Sequence, residues 1–238
     1  MNFKISHFLM WIGCLCGFML VYPYIKDSPL YLQWLSNCIM LYALFFAIVV
    51  HEVSHGFFAY LCGDKTAHDK GRLTLNPIHH ISPIGSIIVP LFLYFLNTSF
   101  IFGWAKPVPF KPMNLNKYPR DQILLVLAGP FSNLVLSYCF FNIYIILAFI
   151  FHHIYPNNPI YFDFNFFAVQ KFADVNFAGV WFVLFKTLSF SILINVVLGV
   201  FNLIPFPPLD GFWLIKVLFP KKAALLGKMH ILGFVLLI

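Results

Sequence analysis

Long apolar runs separated by short polar connectors set the pattern of this 238-residue chain. A helix of about 20 apolar residues spans the hydrocarbon of a bilayer, and it satisfies its own backbone polar groups there. Runs of this kind cover residues 8–25, 32–62, 121–153 and 177–203, and a shorter one covers 223–238. Residues 84–104 are also apolar but carry Pro90 and the polar break Asn97-Thr98-Ser99. Such a segment either crosses the membrane or enters and returns, and the basic residues separate the two options. If 84–104 re-enters, Lys4, Lys65, Lys70, Arg72, Lys106, Lys111, Lys117, Arg120, Lys221 and Lys222 share one side, and only Lys26 and Lys171 take loops on the other. That asymmetry obeys the positive-inside rule, whereas a crossing spreads the charges evenly. The pattern therefore predicts an all-α polytopic membrane protein with about 5–6 membrane segments, one of them a re-entrant β/loop element across 84–110. The N-terminus and segments 63–83, 105–120 and 204–222 then face the cytoplasm.

Composition agrees with a membrane solvent. Hydrophobic residues make up 61% and charged ones 10%, with 31 Phe, more apolar surface than a soluble domain of this length hides. The length suits one integral membrane domain over 1–238, with a core at 32–215 and additional helices at 8–25 and 223–238. The first run lacks an A-x-A cleavage site and reads as a retained helix. Cys14, Cys16, Cys38, Cys62 and Cys139 lie in apolar runs with no CxxC pair, so they read as small buried hydrophobes. The net charge of +7 does not imply nucleic acid, because the basic residues sit between apolar segments, where lipid headgroups are the partner.

One polar cluster breaks the second run: HEVSH at residues 51–55. His51 and His55, four apart, share one face of a helix and can grip one Zn²⁺ through two ring nitrogens. Glu52 lies beside them and can take a proton from an activated water and pass it to a leaving amine. Ionisable residues at membrane depth are rare and usually functional, and three within five positions are hard to assign to packing alone. A catalytic zinc takes a third protein ligand. Asp27, Asp64, Asp69, Asp163 and Asp174 read as loop residues, and Asp121 as a helix-opening acid suited to the dipole. Asp210, in FNLIPFPPLDGF at 201–212, is different, because Pro205, Pro207 and Pro208 preclude a regular helix around it. The plain alternative is a polar turn at the membrane surface. The histidines lie about 10 residues before their helix exits, roughly 15 Å deep at 1.5 Å per residue. With 84–104 re-entrant, run 177–203 ends on that same side, which lets Asp210 meet them.

These residues resemble the site-2 protease family, zinc proteases that cut within membranes, and its compact bacterial branch without a PDZ domain. The resemblance rests on HEVSH together with GRLTLNPIHHISPIGS at 71–86, FGWAKPVPF at 102–110, LAGPFSN at 127–133 and FNLIPFPPLDG at 201–211, in that order. It implies an intramembrane endopeptidase holding one Zn²⁺ per chain, with His51, His55 and Asp210 as ligands and Glu52 as catalytic base. It also implies that Asn202 binds the substrate backbone, although Asn202 could equally cap its helix. FGWAKPVPF resembles the family's re-entrant element beside the active site, where a strand edge could pair with an unwound substrate. His80 fits the family's NPxxH pattern and reads as an interfacial histidine rather than a fourth ligand. Ser82 stands where an acid is common, and the C-terminal helix is curtailed. In LAGPFSN, Gly129 and Pro130 bend the helix or let helices approach closely, and Asn133 bonds between helices. The expected partners are a substrate transmembrane helix and the lipid bilayer, with no nucleic acid. The expected location is a bacterial cytoplasmic membrane, with the site facing the cytoplasm. The rival classes are a metal-ion transporter and an inactive membrane scaffold. A prenyl-protein protease draws its third ligand from a second glutamate, and Glu52 is the sole glutamate here.

Overall fold

A computed structural model describes residues 5–89, 92, 95–96, 105–156 and 178–221. Four long helices are apolar enough to cross a membrane: α1 (Ile5–Ile25), α2 (Pro29–Leu61), α4 (Arg120–Ile154) and α5 (Ala178–Asn202). Two shorter ones follow among the described residues, α3 (Thr66–Asp69) and α6 (Asp210–Leu218). The four runs expected from hydropathy are these four spans. The fold is all-α, with no strand among the described residues. The non-helical stretch 105–111, within the expected strand edge, carries Pro107 and Pro109, which have no N–H to give to a ladder. Most of 84–104 and all of 223–238 lie outside the described residues, as do Asp163, Lys171, Asp174 and Lys222. The crossing or return of 84–104, the curtailed final helix and the count of segments beyond four fall there.

The chain forms two compact units. One comprises Ile5–Ala47 and Asn133–Val197. Its core is aromatic and aliphatic: Tyr22 packs on Phe182 at 4.9 Å between ring centroids, and Phe151 meets Trp181 at 5.0 Å. Ser137 Oγ donates to the Ile192 carbonyl at 3.0 Å, tying α4 to α5 within the bilayer stretch. Many large apolar side chains on the long helices stay exposed, Phe149 and Tyr138 among them, as lipid contact allows.

The other unit holds Ile48–Ser132 and Leu198 onward. Here α2 ends in a left-handed cap. Gly63 has φ +106°, its N–H donates to Tyr60 O at 3.1 Å, and the next N–H, of Asp64, donates to Ala59 O at 2.9 Å. This pair of bonds satisfies two of the last carbonyls of the helix, and the positive φ favours glycine. Asn76 and Ser82 open the short helical turns Pro77–His80 and Pro83–Ile88 by accepting from Ile78 N and Gly85 N. Pro205, Pro207 and Pro208 stop α5 as expected, but the irregular backbone is brief. Helix resumes at Asp210, so that residue opens α6 rather than sitting on unwound chain. Gly211 sits against the Leu203 and Ile204 carbonyl oxygens, where any Cβ would collide with them.

Candidate active site

His51 and His55 lie one turn apart on α2, their rings edge to face with centroids 4.7 Å apart. Asp210 arrives from α6. The three ligand atoms converge: His51 Nε2 to Asp210 Oδ2 is 3.0 Å, His55 Nε2 to Asp210 Oδ2 is 3.2 Å, and the two Nε2 atoms are 3.1 Å apart. Among the described residues this is the one group of three or more His, Cys, Asp or Glu side chains close enough to hold a metal ion. Tetrahedral zinc with ligands near 2.05 Å sets them about 3.3 Å apart, so the triangle fits that ion. His55 is also oriented from behind. Its Nδ1 donates to the Leu125 carbonyl on α4 at 2.8 Å, which leaves Nε2 with the lone pair a metal needs. Gly129, one turn further along α4, lies against both imidazoles: a Cβ there would stand 2.7 Å from His51 Cε1 and 2.6 Å from His55 Cε1. The glycine of LAGPFSN therefore makes room for the histidines as well as for a neighbouring helix.

Glu52 lines the same cavity, of about 770 Å³, with His51, His55, Asp210 and Asn202. Its Oε2 accepts from the Val108 backbone N–H at 2.8 Å, so the 105–111 segment forms the wall facing the carboxylate. Asn202 is the last residue of α5, and its Nδ2 donates to Leu198 O at 2.9 Å. That bond is the helix-end contact expected as the alternative to substrate binding, yet the side chain also lines the cavity.

His80 is not among the metal-binding group. It is buried at 2% exposure, its Nε2 donates to Thr74 O at 2.9 Å, and its Nδ1 is buried without a partner. As expected it is no fourth ligand, and it is enclosed by protein rather than exposed. Burial pulls its pKa down to about 4, against the opposing pull of the Thr74 carbonyl, so it is neutral at pH 7.

Asp64, expected as a loop acid, is fully buried. Its Oδ1 accepts from Thr66 N at 3.0 Å and Asn114 Nδ2 at 2.9 Å, and its Oδ2 accepts from Lys111 N at 2.6 Å. Burial pushes the carboxyl pKa up, but these donors outweigh it and hold it below the usual range.

A family model described as peptidase family M50 matches residues 39–236. YwhC of Bacillus subtilis (strain 168), named as a candidate zinc metalloprotease, is 33% identical over 177 residues, covering 74% of this chain and 67% of that protein. Rip2 of Mycolicibacterium smegmatis (strain ATCC 700084 / mc(2)155), with the same kind of name, is 26% identical over 166 residues, covering 70% of this chain and 51% of that protein. No solved structure matches.

Proposed function

Because the chain belongs to peptidase family M50 and is a zinc metalloprotease, we propose that it hydrolyses peptide bonds within or near transmembrane helices of membrane-protein substrates. The convergence of His51 Nε2, His55 Nε2 and Asp210 Oδ2 beside Glu52, with the histidines and Glu52 on a helix long and apolar enough to span a bilayer, carries this reading. Those three atoms would hold one zinc ion per chain. When bound, zinc supplies Lewis acidity, polarising a carbonyl and making water a nucleophile near neutral pH.

The protein's own groups do the rest. Glu52 Oε2 is engaged by Val108 N–H, so Oε1 is the atom left to take the proton of the attacking water. The same carboxyl then returns that proton to the leaving amine nitrogen. Peptide groups in a substrate helix are covered by their own hydrogen bonds, so the helix must unwind before its carbonyl is reached. Asn202, with Nδ2 on Leu198 O, offers Oδ1 to a freed substrate amide. The walls of the cavity hold the unwound chain, with Val108, Pro109 and Phe110 on one side. We read residues 1–238 as one integral membrane protease domain, multi-pass in a bacterial cytoplasmic membrane, with the site opening toward the cytoplasm.

The test is cleavage of a membrane-embedded model helix by purified protein in liposomes, with chelation, zinc restoration and Glu52→Gln as controls. Cleavage that needs zinc and Glu52 is expected. Zinc moving across the vesicle wall with no cleavage, unaffected by Glu52→Gln, would sink the reading in favour of transport.

A further inference from the structure

The segment that faces Glu52 is tied down residue by residue. Lys106 N–H donates to the His80 carbonyl at 2.8 Å. Arg72 Nη2 reaches two successive carbonyls of the same segment, Lys106 O at 2.8 Å and Pro107 O at 3.3 Å. Val108 N–H then holds Glu52 Oε2, and three residues on Lys111 N–H is held by buried Asp64. Pro107 and Pro109 flank Val108 and have no N–H of their own, so Val108 is the only amide from 107 to 109 that can donate. Its direction is set by anchors on both sides: the guanidinium before it and the Asp64 carboxylate after it.

From these bonds the geometry points to Arg72 and Asp64 as positioning residues for the peptidase reaction, acting through segment 106–111 on the Glu52 carboxylate. The assignment rests on the proposed role of Glu52 as general base. Neither residue lies among the atoms that would hold zinc, and neither lines the cavity. Their effect is to keep Val108 N–H on Oε2, which fixes the carboxylate plane and leaves Oε1 aimed for proton transfer. Asp64 suits the task because it is the residue just past the helix cap of α2, the helix that carries Glu52, with its N–H bonded back to Ala59 O of that helix. Arg72 suits it because its Nη2, with two N–H groups held in the rigid guanidinium plane, reaches both adjacent carbonyls at once.

The experiment compares wild type, Arg72→Met, Arg72→Lys and Asp64→Asn, as full-length protein in liposomes. It reads kcat and KM on a membrane-embedded helix, zinc content, and backbone amide exchange. Arg72→Met and Asp64→Asn should lower kcat by about tenfold or more, as loss of outer-shell partners does, with KM and zinc content near wild type. Amide exchange should rise at 106–111 and stay unchanged in α2. Arg72→Lys, which keeps the charge and N–H donors but loses the planar guanidinium, should fall between wild type and Arg72→Met. If Asp64→Asn does not fold, the arginine pair decides alone. Zinc loss in step with activity, or raised exchange with an unchanged kcat, or no change in either, each overturns the assignment. A wild type that cleaves no helix overturns the peptidase reading instead, and is told apart by that control.

Discussion

Replacing Gly129 with Ala adds one methyl group at the point where α4 meets the two histidines. The new carbon would sit 2.6 Å from His55 Cε1 and 2.7 Å from His51 Cε1. Carbon atoms rest about 3.5 Å apart or more, so each ring must retreat by nearly 1 Å. A zinc site tolerates roughly 0.2 Å in its ligand distances. His55 has little freedom to yield, since Leu125 O holds its Nδ1 at 2.8 Å. Zinc affinity should therefore fall on the order of 100-fold, about 2.8 kcal/mol. Helix propensity works in the opposite direction, because Ala favours a helix over Gly by up to about 1 kcal/mol. A loss cannot then be blamed on a weakened α4. The assay is competition for zinc against a chromophoric chelator, with thermal unfolding in detergent as the measure of fold. Wild-type zinc affinity in Gly129→Ala would refute the claim that this glycine makes space for the ligand pair.

Other substitutions address the remaining groups. Glu52→Gln should lower cleavage about 10²–10⁴-fold, as loss of a general base does, while zinc content and unfolding temperature stay at wild type; substantial residual turnover would remove Glu52 from its role. Asp210→Ala should release zinc from the purified protein during dialysis, because two imidazoles alone hold it weakly; unchanged metal content would move the third ligand elsewhere. His80 gives a pH signature. Its folded pKa of about 4 lies below the ordinary 6.5, so its stability contribution is complete above pH 6.5 and is lost as pH falls from 6.5 to 4. The loss approaches about 3 kcal/mol. Unfolding followed across that window should show the slope in wild type and not in His80→Gln.

The membrane spans were legible because their signal is local. Hydropathy alone places 32–62 and 121–153 against observed helices Pro29–Leu61 and Arg120–Ile154. The metal cluster was legible too, since HEVSH fixes a face by spacing and a chain with one glutamate and few aspartates leaves few third ligands. What stayed hidden depends on distant partners. Asp64 looks like any loop acid until Lys111 and Asn114, roughly fifty residues later, arrive to bury it. Arg72 counts as one more positive-inside charge until the carbonyls of Lys106 and Pro107 claim it. Lys186, inside the apolar run 177–203, is a third case: it lies buried within α5, its ammonium 5.7 Å from the Phe190 ring centre. Periodicity marks which residues are apolar; it does not mark which polar ones will be enclosed.

Asp210 and His51 are separated by 159 positions along the chain. A ribosome making this protein adds the histidine pair well before it reaches the aspartate. The metal-holding set is thus completed only once the chain has been made as far as Asp210. Chains stopped short of Asp210 should hold zinc no better than Asp210→Ala does.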